Sequence, residues 1–136
     1  MGPEVHFRRT RDWAIAEGFS EEEAERIASA NQDVDMTFPS RASFGNSTRH
    51  FPPTSWWWRH RYFREAVARR DLERLGWALH TVQDSAAHGL FGWTHTLQHL
   101  HLRHNPDVWE LASPRLRARL ERDTRRLLAR YRARVG

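Results

Sequence analysis

The stretch Gly76–Gly89, GWALHTVQDSAAHG, decides how the rest of the chain is read. It lies within the 28 residues Leu75–Leu102, where Asp84 is the only fully charged side chain although charged residues make up 29% of the protein. At about 100° per residue, Leu72, Leu75, Leu79, Val82 and Ala86 share one helical face. His80, Asp84 and His88 follow at i, i+4 and i+8 on nearly the opposite face, together with Trp77. In the other helical stretches the face away from an apolar stripe carries Arg and Glu. Here both faces are expected to be buried, which puts this helix at the centre of the molecule.

A buried carboxylate without a cation nearby in sequence is costly unless it is paired or coordinates a metal. Imidazoles and a carboxylate stacked along one face suit a divalent ion such as zinc. The same spacing also suits a plain hydrogen bond between His80 and Asp84 inside a core. With no cysteine in the chain, disulfides and thiolate sites are excluded, and any metal must be held by nitrogen and oxygen.

Working outward, Val5–Glu17 reads as a first helix stopped at Gly18, a residue suited to the left-handed turn after a helix. Ser20 and Glu23 have the spacing of a capping box, and Ala24, Ile27 and Ala28 start a second helix expected to end between Asn31 and Val34. Residues 36–55 are rich in Pro, Ser, Gly and Asn without a sustained period and read as a long, functional loop. A third helix is expected from near Ser55, after Pro53, and Asp71 is placed to cap the central one. FGWTHTLQHLHLRHNPD suggests a shorter helix broken at Asn105-Pro106, and Ser113-Pro114 a strong start for the last. The stripe of that last helix is Leu116, Leu120, Leu127, Tyr131 and Val135. No strand or internal repeat is evident, so the expectation is a single all-α domain over 1–136, a bundle of five to six helices around a central metal-bearing helix.

The net charge of +5 is unevenly spread. Arg115–Arg134 holds nine arginines against Glu121 and Asp123, a local charge of +7 that leaves the remainder at −2. Those arginines suit nucleic-acid phosphates, an anionic membrane surface, or simply solvent. The opening MGPEVHFRRTRDW lacks the apolar core of a signal peptide, and no run approaches a membrane span, so the chain is expected to be soluble and, by default, cytoplasmic. Trp56, Trp57 and Trp58 span some 200° of a helix and cannot all face one core. The ordinary arrangement has two in the core and one under the loop; Trp56 and Trp57 are the candidates for a pocket wall that stacks on a base or lies against lipid.

The segments NQDVD and RHF add Asp33, Asp35 and His50 to the candidates, with Asp35 and His50 fifteen residues apart. With VHF (His6) and ALHTVQDSAAH (His80, Asp84, His88), their order resembles the zinc-dependent phospholipase C and single-strand nuclease superfamily. The resemblance covers nearly the whole chain. It implies one to three zinc ions, with Asp84 bridging two of them, Asp35, His50 and His80 completing one site, and His6 belonging to its neighbour. QHLHLRHNPD resembles the ending of some small bacterial members and nominates His99 and His104, with Asp107 in support. Two features depart from the family: the first tryptophan is Trp13 rather than an N-terminal residue, and no His-x-x-x-carboxylate follows the central helix.

The implied activity is metal-dependent hydrolysis of a phosphodiester, phospholipid or single-stranded nucleic acid, with metal-bound hydroxide attacking phosphorus. Asp33 is then the candidate proton acceptor if Asp35 is the ligand. The rival class is a non-catalytic helical module whose metal is structural and whose arginine-rich helix binds nucleic acid or a partner protein. The chain has neither the Glu-x-x-His of a ferritin-like di-iron site nor an adjacent His-Asp pair.

Overall fold

Local rules set most of the helix ends. In the computed structural model, which describes residues 2–38, 44–88 and 108–136, the chain opens with a π-helical stretch, Glu4–Arg9, that runs directly into α1, Thr10–Ala16. Gly18 turns the chain at a φ of 89°, where a side chain would be strained. The Ser20 hydroxyl then accepts from the Glu23 backbone N–H while the Glu23 carboxylate accepts from the Ser20 N–H, so a complete capping box starts α2, Glu21–Thr37. Asp71 accepts from the backbone of Glu73 and Arg74 at the start of α5, Leu72–His88. Ser113 accepts from Leu116, with Pro114 at the first position of α6, Pro114–Val135. Among the described residues there are six α-helices and no strand, in keeping with an all-α bundle.

Two boundaries differ from the sequence expectation. α2 continues to Thr37, three residues past Val34, so Asp35 as well as Asp33 is helical. The expected loop over 36–55 contains a helix of its own, α3, Phe44–His50. Seven residues are too few to display a period. What holds α3 is tertiary: the Trp58 indole N–H donates to Thr48, and Arg49 donates to the Tyr62 hydroxyl, both from α4, Thr54–Arg69. The expected helix around 91–107 lies outside the described residues.

α5 is the axis. α2, α4 and α6 all pack against it, and it buries residues on both faces: Leu72, Leu75, Leu79 and Val82 on one, His80, Asp84 and His88 on the other. α6 contributes Leu120, Leu127, Leu128 and Tyr131 to the same core. Among the described residues no helix is long and apolar enough to cross a membrane.

α2 and α5 approach closely at Gly76. A Cβ there would stand 2.5 Å from the Ile27 carbonyl oxygen and 2.9 Å from the Asn31 backbone nitrogen, so α2 and α5 touch backbone to backbone. Helix backbone has no side-chain freedom with which to yield. Gly76→Ala is therefore expected to lower stability by about 1–3 kcal/mol despite alanine's better helix propensity. Chemical denaturation checks this, and an unchanged or raised midpoint contradicts it.

Candidate metal centre

Four elements deliver the polar cluster. The π-helical stretch carries His6, the extra turn of α2 carries Asp35, the end of α3 carries His50, and α5 supplies His80 and Asp84. The bonds made on the outer side of each imidazole are as informative as the cluster itself. His6 Nδ1 donates to Gln83 Oε1 at 2.8 Å, His50 Nε2 to the Phe38 carbonyl at 2.6 Å, and His80 Nδ1 to the Asn31 carbonyl at 2.8 Å. Each ring thereby commits its N–H outward and turns a lone pair inward. This is how metal-binding histidines are oriented by their outer partners.

The inward atoms converge. His50 Nδ1 lies 2.8 Å and His80 Nε2 3.1 Å from Asp84 Oδ2, and these two nitrogens are 3.1 Å apart. Asp35 Oδ1 is 3.7 Å and 3.5 Å from the same two nitrogens. On the other side, His6 Nε2 faces the remaining oxygens, Asp84 Oδ1 at 3.5 Å and Asp35 Oδ2 at 3.7 Å. Each carboxylate thus presents one oxygen to the His50–His80 pair and the other to His6, whose ring stacks on His80 with centroids 4.2 Å apart. One ligand atom each from Asp35, His50, His80 and Asp84 lies within 4.8 Å of every other, a group able to hold a metal ion.

The donor set fits a divalent cation. His6 Nε2 is fully buried and makes no hydrogen bond. Burial first, and then the neighbouring His80, pushes the His6 pKa down to about 4, so at neutral pH that nitrogen offers a lone pair and no proton. Burial alone would raise the pKa of Asp84, yet the adjacent imidazoles of His80 and His50 hold it well below the usual carboxylate range. For His50 burial pulls downward, but the Asp84 hydrogen bond and charge outweigh it and the pKa is raised. In metal-free protein a proton on His50 therefore does what a cation would otherwise do.

Behind His6 lies a buried amide relay that the sequence reading did not identify. Gln83 Oε1 also accepts from Asn31 Nδ2 at 3.0 Å, while Gln83 Nε2 donates to Thr10 Oγ1 at 2.8 Å and Thr124 Oγ1 at 3.2 Å. Thr10 in turn donates to the Val5 carbonyl at 2.8 Å. The amide of Gln83 is thus used on both ends, with its Oε1 turned to the His6 Nδ1 proton. The available signal was weak: a glutamine inside the uncharged stretch, on the turn between His80 and Asp84.

The other candidates fall elsewhere. Asp33 is exposed; two residues along a helix is about 200°, so the face that brings Asp35 inward turns Asp33 to solvent, and Asp33 is not placed to accept a proton at this centre. His88 is buried with its ring edge-on to Phe51, and it is not among the four converging residues. Trp56 and Trp57 are exposed on the outside of α4 and stand apart from that group. Only Trp58 of the three turns inward, beneath α3, so the expectation of two core tryptophans is corrected. His99, His104 and Asp107 lie outside the described residues. Comparison of the chain with protein-family models, with curated proteins and with solved structures gave no match.

These groups set opposite pH slopes. His6 binds a proton near 6.5 when unfolded but only near 4 when folded, so its contribution falls as pH drops through that window. His50, raised when folded, contributes fully below 6.5 and loses that contribution as pH rises through its folded value. Chelator-treated protein is expected to be most stable near pH 6.5, and added zinc to restore stability mainly on the alkaline side, where the ion replaces the His50 proton. Thermal melts across pH, with and without zinc, test this; an alkaline limb that zinc leaves unmoved contradicts it. Gln83→Leu, which removes the His6 acceptor, is expected to weaken metal retention by about 10–100-fold, read by competition with a chromogenic chelator.

Proposed function

We propose that this protein is a metal-dependent phosphodiester hydrolase whose ions, zinc foremost, are held by His6, Asp35, His50, His80 and Asp84. The observation that carries the proposal is the set of three imidazoles, each with its proton committed outward, around two carboxylates that divide their oxygens between them. Imidazole and carboxylate donors without thiolate favour zinc among the first-row metals and admit manganese or iron. Asp35, His50, His80 and Asp84 would hold one ion, and His6 with the second oxygens of Asp35 and Asp84 its neighbour. When bound, such ions supply Lewis-acid charge for a phosphoryl oxygen and a water of lowered pKa.

The chain's own residues divide the remaining work. Asp84 is almost fully buried and holds negative charge at the centre without reaching solvent. Asp35, with 47% of its side chain exposed against at most 5% for the other four, marks the side from which a substrate arrives. Arg49 acts from behind the site: its guanidinium lies 4.1 Å from the Phe38 ring centre and 4.0 Å from that of Trp58. This clamps the segment whose carbonyl receives the His50 proton. No serine or cysteine nucleophile is required by this chemistry.

The near-complete burial of four of the five donors also favours a second reading, a structural ion that ties α2, α3 and α5 together without turnover. The two separate in one experiment. Protein purified without chelators is analysed for metal and assayed on bis(p-nitrophenyl) phosphate beside Asp84→Asn. Hydrolysis is expected from the wild type, with metal content and rate falling together in the variant. Bound metal without hydrolysis of this or other phosphodiesters would assign the structural role, and metal-free, fully folded protein would defeat both readings.

A further inference from the structure

The last helix carries nine of the chain's 22 arginines, and their charge is organised. Arg119, Arg126, Arg130 and Arg134 recur on one face of α6, and across from them α4 presents Arg59 and Arg64; all six line a groove of about 560 Å³ whose floor includes Val82 and Ala86 of α5. The one carboxylate on its walls is Asp123, which is shared between Arg119 at 3.5 Å and Arg122 at 3.0 Å. Among the described residues the other five groove arginines have no ion-pair partner. Unpaired like charges facing one another across a concave surface repel, and they focus a strong positive potential into the space between them.

The groove also carries aromatic surface. Trp56 lines it with 45% of its area exposed, and the Arg130 guanidinium lies 5.2 Å from the ring centre of Phe63 deeper in the same wall. We infer that this groove binds single-stranded nucleic acid, with phosphates along the arginines and an unpaired base against Trp56. The shape selects the ligand. From Arg119 to Arg134 the row extends about 22 Å along the helix axis, which suits a chain laid lengthwise. A bilayer surface is flat and cannot enter between two helices, a duplex hides the base faces that an indole stacks on, and an acidic peptide has no use for the exposed ring. The inference goes beyond the metal reading: Pro52 and Ser85 neighbour the ligands His50 and Asp84 in sequence, but it is the groove and not the cluster that they line.

Binding of a fluorescently labelled oligothymidylate with hydrolysis-resistant phosphorothioate linkages, followed by anisotropy, tests the inference. The wild type is expected to bind with an affinity that falls steeply with salt. Arg126→Glu/Arg130→Glu should weaken binding by more than about tenfold and reduce the salt slope by about two. Trp56→Ala should cost about tenfold while leaving the slope unchanged. The control Arg8→Glu/Arg26→Glu has the same net charge as the groove variant and should bind far better than it does; metal content should be the same in all of them. The inference is overturned if the wild type does not bind at low salt, or if the control loses as much affinity as the groove variant. It is equally overturned if phosphatidylglycerol vesicles or polyglutamate compete as well as unlabelled oligothymidylate.

Discussion

Three imidazole lone pairs and two carboxylates face one another in a space from which water is largely excluded, and every ring proton that could have relieved the contact is used elsewhere. Such a cluster repels itself. The 3.1 Å separation of His50 Nδ1 and His80 Nε2 is favourable only with a proton or a cation between them. A proton serves at mildly acidic pH, through His50. At neutral pH and above a divalent ion would serve better, because Asp35, His50, His80 and Asp84 could meet it at once and it would displace the proton that His50 otherwise carries.

The packing of the bundle follows from the same demand. His80 reaches the Asn31 carbonyl because α2 and α5 meet at Gly76, and Asp35 reaches the cluster because α2 continues a turn beyond its apolar stripe. Buried polar groups are tolerated when each has its partners. Here Gln83, Asn31, Thr10 and Thr124 are linked by hydrogen bonds that end on backbone, while His6 Nε2, facing the two carboxylates, is buried without a hydrogen-bond partner. The interior is therefore specified by polar geometry as much as by the apolar residues around it.

How much of this was readable in advance depended on the range of the interaction involved. Ser20 with Glu23, Asp71, and Ser113 with Pro114 act within four residues, so their helix ends could be placed from the sequence. The opposed faces of α5 likewise follow from period alone. α3 could not be found that way, since its seven residues are held by Trp58 and Tyr62 of another helix. The choice between Asp33 and Asp35 turned on whether α2 ended before or after them, because only a continuing helix turns one inward and the other out. Gln83 was hidden for a further reason: its role consists of four partners drawn from the amino-terminal segment, α1, α2 and α6, none of which is near it in sequence.

An interior built this way constrains the surface as well. Beyond Arg74, α5 carries neither Arg nor Glu, so the charge of the chain must be carried mostly by the outer helices, and exclusion from the core accounts for arginines being exposed. It does not account for their alignment. Solvated arginines gain from nearby carboxylates, as Arg125 does beside Glu17 and Glu121, or Arg11 beside Glu25. The groove arginines of α4 and α6 face one another with a single acid among them. Mutual repulsion in a cleft with a tryptophan at its edge is a standing cost to the folded chain, and a polyanion is the kind of ligand that turns that cost into affinity.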